Sequence, residues 1–469
     1  MLGSVTQQKL RWFDAFAVAF LLLFHWTQML VHAIQLDVKD KESIKQAAST
    51  MAFDLVTFYQ GNQSGQIPGY LPQPYYWWEA GAMFGTLVNY WYLTGDSSYN
   101  DITTQALLFQ ATSNGDFMPT NQTRDEGNDD QSFWALSAMM AAERNFPAPP
   151  AGSPSWLEMV QAVFNEQVTR WNTASCGGGL KWQIFPFNNG YDYRNSIANG
   201  CFFDIAARLA RYTGNQSYAD WAEKAWNWVT EVGLVGSTYQ VYDGTSDTNN
   251  CTTLDHVLWT YNSGIFLHGA ATMYSFTNGS SVWEERINGL LNASAIFFST
   301  NASSLNVMYE YSCELINDCT TDQFSFKAYL SRWMAETTQL APFTNETIMT
   351  KLEASAAAAA KQCVGGSTGT YCGMKWTTGT YDGTTGVGQQ MSALETVQGL
   401  LMPQAQAPLT NATGGTSKSN PDAGMGSSSN TYTPSEVAGR ITTGDRVGAG
   451  FITVALVLSV FGCAYVMVS

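Results

Sequence analysis

The stretch GNDDQSFWALSAMMAAE, Gly127 to Glu143, decides the fold class of this chain. After Gln131 its apolar positions Phe133, Trp134, Leu136, Ala138, Met140 and Ala141 wrap most of a helical circumference, which marks a helix buried on nearly every side. Two adjacent acids, Asp129 and Asp130, stand at its entrance. An acid in a helix first turn is ordinarily a cap that meets the positive end of the dipole. The other reading is a catalytic pair in a dry environment. Neighbouring Cα atoms lie ~3.8 Å apart, which suits the ~5–5.5 Å carboxyl separation of a retaining glycosidase better than the ~6.5–9.5 Å of an inverting one.

Working outward, helical periodicity with start and stop signals places twelve helices, near 41–60, 79–93, 97–110, 129–145, 155–172, 196–212, 217–232, 263–276, 281–298, 322–340, 346–362 and 388–401. No long strand pattern survives between them. Three junctions, Tyr92 to Tyr99, Tyr212 to Tyr218 and Phe276 to Val282, end one helix on Gly or Asn and open the next on Ser, as short antiparallel turns do. The junctions leading into the even-numbered segments are longer and richer in rings and amides. The even segments also carry small residues (Gly81, Ala138, Ala206, Gly269) that allow close packing. The expected fold is therefore all-α, an (α/α)6 barrel of twelve helices with its cleft at the N-terminal ends of the inner set. The alternative, an α-solenoid, needs a more regular repeat than this chain has.

The net charge is −16 with only 22 Lys and Arg in 469 residues, which argues against nucleic acid or an anionic membrane surface as partner. Sixteen Trp, 22 Tyr and 25 Phe exceed what a helical core requires and suit sugar-binding platforms. Lys9, Arg11 and the apolar run Phe13 to Phe24 before Val31-His32-Ala33 read as a signal peptide, residues 1–33. Residues 34–403 form the barrel, 404–439 a Ser/Thr/Gly-rich stalk with the lipid attachment region, and 440–469 a spacer and apolar tail of the glycosylphosphatidylinositol (GPI) type. Cys463 lies in that tail. Of Cys176, Cys201, Cys251, Cys313, Cys319, Cys363 and Cys372, up to three disulfides are expected with Cys201, in an apolar helix start, left over. Only His256 and His268 remain after processing and no CxxC occurs, so no metal and no cofactor are expected. Sequons stand at Asn62, Asn121, Asn215, Asn250, Asn278, Asn292, Asn301, Asn345 and Asn411, as in a secreted glycoprotein.

On the expected rim, Tyr75 to Glu79 offers four rings and an acid. The Gly-rich run Cys176 to Trp182 matches neither a P-loop nor a dinucleotide fingerprint. Trp259 to Ser263 and Tyr381-Asp382-Gly383 add rings and amides. His256 beside Asp255 lacks the GxSxG context of a hydrolase triad. Taken together, Tyr76-Trp77-Trp78-Glu79-Ala80-Gly81, Gly127-Asn128-Asp129-Asp130-Gln131, the run from Cys176 to Gln183, Asn195-Ser196, Asn199-Gly200 and Trp259 to Asn262 resemble glycoside hydrolase family 76, within it the fungal GPI-anchored mannan endo-1,6-α-mannosidase-like wall proteins. Lys181 departs from the Arg usual in that pattern. The resemblance implies an (α/α)6 fold and a retaining mechanism, with Asp129 the nucleophile and Asp130 the general acid/base. Trp78, Glu79, Asn128, Tyr193, Asn195, Tyr261, Asn262 and Asp382 are the expected sugar contacts. It further implies an α-1,6-mannan or GPI-core mannoside donor, wall glucan as acceptor, a GPI anchor in the bilayer, and placement on the outer face of the plasma membrane or in the wall. The competing expectation is a mannan-binding wall protein that catalyses nothing.

Overall fold

A computed structural model describes residues 34–122, 124–415, 419–425 and 453. The chain divides into two units, 1–424 and 425–469. Among the described residues twelve α-helices build the first unit. They are α1 (Lys41–Val56), α2 (Trp77–Thr94), α3 (Asn100–Ala111), α4 (Asn128–Glu143), α5 (Trp156–Arg170) and α6 (Ser196–Thr213), then α7 (Gln216–Val232), α8 (Thr260–Phe276), α9 (Ser281–Ala293), α10 (Phe326–Leu340), α11 (Asn345–Lys361) and α12 (Val387–Gln398). All twelve coincide with the expected helices to within a few residues.

The even helices pack side by side in chain order, and α12 returns to α2, so the inner set closes as a ring; each odd helix lies outside against its neighbours. This is the (α/α)6 barrel. Small residues make the closeness possible. A Cβ on Gly81 would stand 2.8 Å from the Trp134 ring, and one on Gly269 2.4 Å from Phe203. The hairpin turns close on left-handed residues, Gly95 at φ 82° and Gly214 at φ 73°, which costs glycine least. After α6 the cap is Asn215, whose side chain accepts the Ser217 N–H, rather than Ser217 as the sequence suggests.

Inside the ring a belt of buried charge joins all six inner helices. Glu143 of α4 binds Arg208 of α6 (2.5 Å), and Arg144, the C-cap of α4, binds Glu336 of α10 (3.1 Å). His268 of α8 lies between Asp204 (2.7 Å) and Glu336 (3.3 Å). Arg332 binds Glu395 of α12 (2.7 Å), which also accepts from Asn89 of α2 (3.0 Å). Burial alone would raise Glu336, but the surrounding His268, Arg144, Arg208 and Arg332 outweigh it and hold its carboxyl below the usual range.

Loops before the inner helices carry five short strands. β1 (Tyr193–Asn195), β2 (Tyr242–Ser246) and β3 (Leu254–Leu258) form an antiparallel sheet in that order, and β4 (Cys363–Gly365) pairs with β5 (Tyr371–Cys372). Disulfides join Cys176 to Cys251, Cys313 to Cys319 and Cys363 to Cys372, and Cys201 is free and buried. All nine sequon asparagines are exposed.

The expected stalk does not begin at 404. Leu409 N–H donates to the Glu143 carbonyl (2.9 Å), Arg211 donates to Leu409 and Pro408, and Gln339 to Met402 (2.8 Å) and Ala405 (3.0 Å). Further on, Asn165 donates to Pro421 and Ala423. Helix C-termini leave carbonyls and cationic side chains in need of partners, and this polar segment supplies them. The expected signal peptide, residues 1–33, and the expected spacer and apolar tail, residues 440–469, fall outside the described residues, save Thr453. Among the described residues no helix is long and apolar enough to cross a membrane.

Candidate active site

At the N-terminal end of the inner ring two chambers open side by side. The first, of about 180 Å³, is lined by Trp78, Asp129, Asp130, Phe133, Trp182, Tyr193, Asn195, Asp243, Tyr261, Asp322 and Phe326. The second, of about 390 Å³, shares Trp78, Asp130, Trp182 and Asp322 and adds Tyr76, Trp77, Gln122, Asp125, Glu126 and Gln183. No basic side chain lines either one among the described residues.

The acid pair is held by its own helix start. Gly127 is the N-cap of α4; its N–H donates to Asp130 Oδ2 (2.8 Å), while the Asp130 N–H donates to Asp129 Oδ1 (3.1 Å). Capping and cleft-lining thus coexist in Asp130. Asp129 Oδ2 also accepts from Asn195 Nδ2 (2.8 Å), and Asn195 is itself the N-cap of α6, fixed through its Oδ1 to the Ala198 N–H. Burial raises both carboxyls, Asp129 well above its usual value with Asp130 as the next cause, and Asp130 to about 7 with the nearby Asp322 charge contributing. Two such neighbours cannot both ionise cheaply, so the pair keeps one proton into the neutral range.

Gly127 is required by contact rather than by φ. A Cβ there would stand 2.3 Å from Asp129 Oδ1 and 3.1 Å from the Trp182 carbonyl. Gly127→Ala is therefore expected to swing the Asp129 carboxylate out of line and lower kcat at least about tenfold, a misplacement effect, while the circular dichroism spectrum stays that of the wild type. Unchanged kcat would show that the carboxylate position is not critical.

Aromatic walls face the acids. Trp78 packs on Phe133 (centroids 4.6 Å apart) and donates its indole N–H to Asp322 Oδ1 (3.1 Å). Tyr261 stacks on Phe326 at 3.8 Å and 6°. Tyr193 O–H donates to Asp243 Oδ2 (2.8 Å), and Asn262 Nδ2 to Asp243 Oδ1 (3.3 Å). Burial raises Asp243, and burial raises Asp322 to about 6.

Of the residues expected from the sequence, Trp78, Asp129, Asp130, Tyr193, Asn195 and Tyr261 meet at this cleft. Four others line neither chamber. Glu79 is fully buried, and burial with the Asp322 charge raises its carboxyl well above the usual value. Asn128 is spent on structure, donating to the Lys181 carbonyl (2.9 Å) and accepting from Arg170 (3.0 Å). Asn262 acts through Asp243. Asp382 is occupied by the N–H groups of Met374 (3.0 Å), Lys375 (2.8 Å) and Thr384 (2.9 Å).

Asp243, Asp322, Trp182, Phe133 and Phe326 line the first chamber although the sequence does not mark them as sugar contacts. Trp182 belongs to the Gly-rich run that carries the family resemblance, and Asp243 and Asp322 lie in or beside the long loops, which is a weak signal. Lys181 points away, pairing with Asp247, which also binds Arg194 (2.5 Å). The glycine run beside it serves packing, since a Cβ on Gly179 would meet the Trp228 ring at 2.4 Å. His256 is exposed.

Neighbouring acids sharing a proton, in a cleft of flat rings and hydroxyl-sized polar groups, define a glycosidase built on a helical barrel. Comparison with known proteins agrees. Residues 43–412 match glycosyl hydrolase family 76, and the chain belongs to that family. It is 46% identical to the mannan endo-1,6-alpha-mannosidase DCW1 of Saccharomyces cerevisiae, over 92% of this chain and 95% of the relative. It is 44% identical to the mannan endo-1,6-alpha-mannosidase DFG5 of the same yeast, over 92% and 93%. The crystal structure of Dfg5 from Chaetomium thermophilum in complex with glucosamine has a TM-score of 0.79 at 46% identity, over 84% of this chain and 98% of that one. The α-1,6-mannanase of Salegentibacter shares the fold, with a TM-score of 0.61 at 14% identity, over 77% of this chain and 99% of that one.

Proposed function

We propose that this protein cleaves α-1,6-mannosidic bonds with retention and passes the mannosyl group to water or to a saccharide, the GPI-core mannoside being the donor and wall glucan the acceptor. The observation that carries this reading is the adjacency of Asp129 and Asp130 at the cleft floor. Neighbouring carboxyls leave little room for a water behind the sugar, so one of them attacks the anomeric carbon directly. Asp129 accepts two hydrogen bonds, from Asn195 and from the Asp130 N–H, which favour its ionised form. Asp130 accepts one and has Asp322 close enough to raise it, which favours its proton. Burial and the Asp130 charge raise Asp129 as well, so the roles rest on the hydrogen bonds and the family resemblance, with Asp129 as the nucleophile and Asp130 as the general acid/base.

In the first step Asp129 bonds the anomeric carbon as the glycosidic C–O bond breaks and the Asp130 proton moves to the leaving oxygen. In the second, an incoming O–H gives its proton to Asp130 while its oxygen displaces Asp129. Homologues named as mannan endo-1,6-alpha-mannosidases support the linkage. The relative bound to glucosamine, together with a cleft that carries acids and no base among the described residues, supports a donor glycan carrying a free amine. The secretory signals support a place on the outer membrane face or in the wall, with a GPI anchor as the link to the bilayer.

Proton NMR of an α-1,6-mannoside at early time points, with mass spectrometry of products in the presence of a glucan oligosaccharide, tests this proposal. The α-anomer is expected first, accompanied by mixed mannosyl-glucan products. An initial β-anomer, or an unconsumed donor, would sink it. Since Asp130 must hold a proton, kcat/KM is expected to fall as pH rises through about 7. A profile without that alkaline loss would remove Asp130 from the acid role.

A further inference from the structure

The two chambers differ in one respect that chemistry can read. Both carboxylates of the pair line the first, whereas only Asp130 lines the second. In a retaining reaction the nucleophile touches the anomeric carbon, and the acid/base touches the oxygen that leaves or arrives. The first chamber is therefore the seat of the mannosyl group, and the second the seat of the departing and incoming partners. Three residues besides Asp130 belong to both chambers, namely Trp78, Trp182 and Asp322. Asp322 is the only further acid among them.

We propose that Asp322 is a specificity-determining residue for the incoming sugar, accepting a hydrogen bond from one of its hydroxyls and so placing a neighbouring hydroxyl at Asp130. This rests on the retaining mechanism proposed for the same cleft. The carboxylate has the right disposition: Oδ1 is held by the Trp78 indole (3.1 Å), which leaves Oδ2 for a ligand. Its place is also fixed from below. The turn Gln323–Ser325 follows it, Ser325 Oγ donates to the Asp322 carbonyl (2.7 Å), and α10 starts at Phe326, which itself lines the first chamber.

The other acids of the second chamber do not share this position. Asp125 and Glu126 line the second chamber alone. Glu126 is nearly inaccessible, 2% exposed, and burial keeps its carboxyl protonated well above the usual range. Asp322 neither gains nor loses a proton in the transfer. The acceptor hydroxyl gives its proton to Asp130, its oxygen bonds the anomeric carbon, and Asp129 departs as the carboxylate. The ligand class is a neutral saccharide whose vicinal hydroxyls provide one group for Asp322 and one for the reaction. Water has only one oxygen and cannot use both, so Asp322 favours sugar over water.

The test is the ratio of transfer to hydrolysis, with the processed glycoprotein, an α-1,6-mannoside donor and a glucan oligosaccharide as acceptor. Both products arise from one mannosyl-enzyme, so the ratio is blind to effects on the first step. Asp322→Asn keeps an oxygen for the Trp78 N–H and replaces the ligand-facing acceptor by an amide donor. The ratio is expected to fall about tenfold, the scale of a lost hydrogen bond to a charged group. The KM for the acceptor should rise in parallel, and Asp322→Glu should recover part of the ratio. An unchanged ratio overturns the proposal, however much total turnover falls.

A wild-type enzyme that hydrolyses but never transfers also overturns it, while leaving the glycosidase assignment standing. If the donor is not consumed at all, the proposed mannosidase function fails. Titration calorimetry of the glucan oligosaccharide, which needs no turnover, then decides this inference separately. A severalfold weaker binding to Asp322→Asn supports it, and equal binding overturns it.

Discussion

Asp129→Asn and Asp130→Asn are each expected to lower kcat/KM on an α-1,6-mannoside by about 10³-fold or more, the scale of losing a general acid or a nucleophile. The two variants should differ in kind. A donor with a good leaving group needs no proton from the enzyme, so it should restore mannosyl-enzyme formation in Asp130→Asn but not in Asp129→Asn. Mass spectrometry of the intact protein would detect the adduct. Rescue of Asp129→Asn instead would exchange the two roles, and full activity of either variant on the natural linkage would return the pair to a capping role.

Neither variant should be less stable at neutral pH. Both carboxyls are raised above their unfolded values. Their contribution is therefore fully present below the unfolded pKa and is lost as pH rises through the folded one. An amide that never ionises avoids that loss.

What the sequence revealed and what it hid have different physical causes. The helices were legible because apolar periodicity and glycine stops are local. The alternation of short and long junctions made the inner ring legible too. The acids Asp129 and Asp130 announced themselves by adjacency. Asp322 did not, because the partner that holds its carboxylate at the cleft, the indole N–H of Trp78, is 244 residues away in the chain. Asp382 misled for the opposite reason, since an acid beside a ring in a rim loop looks like a sugar contact until its backbone donors are known. The charge belt was the least visible feature. Glu143, Arg208, His268 and Glu336 each sit on a helix where charged residues ordinarily face solvent, and nothing local says that four such faces turn inward to one another.

In that belt a single substitution is expected to have its largest effect on stability. Arg208→Met would leave Glu143 buried without its cation and Asp204 with His268 as its remaining partner, and removing one partner of a buried ion pair typically costs about 3–5 kcal/mol. The Arg208 side chain is 1% exposed and that of Asp204 0%, so no water can take over. Urea unfolding should show the loss as a lower midpoint with an unchanged slope. The double variant Arg208→Met with Glu143→Leu should regain much of it, because the stranded charge is then gone and an apolar pair of similar volume fills the site. A single variant within about 1 kcal/mol of wild type would mean that the belt is hydrated or that its members neutralise by protonation.

The closure of the inner ring, α12 against α2, also sets the order in which the molecule can be made. The two helices lie at opposite ends of the barrel sequence, so their contact has the longest loop of any inner pair and carries the largest entropic cost of closure. A chain emerging N-terminus first builds an open arc. In that arc α2 and α10 each have an uncovered apolar flank, and Arg332 waits for Glu395. The arc is the species at risk of sticking to others of its kind, and its lifetime is governed by the search of the last helix for the first. A chain that stops short of Val387 is accordingly an unfinished barrel, with no smaller closed form to fall back on.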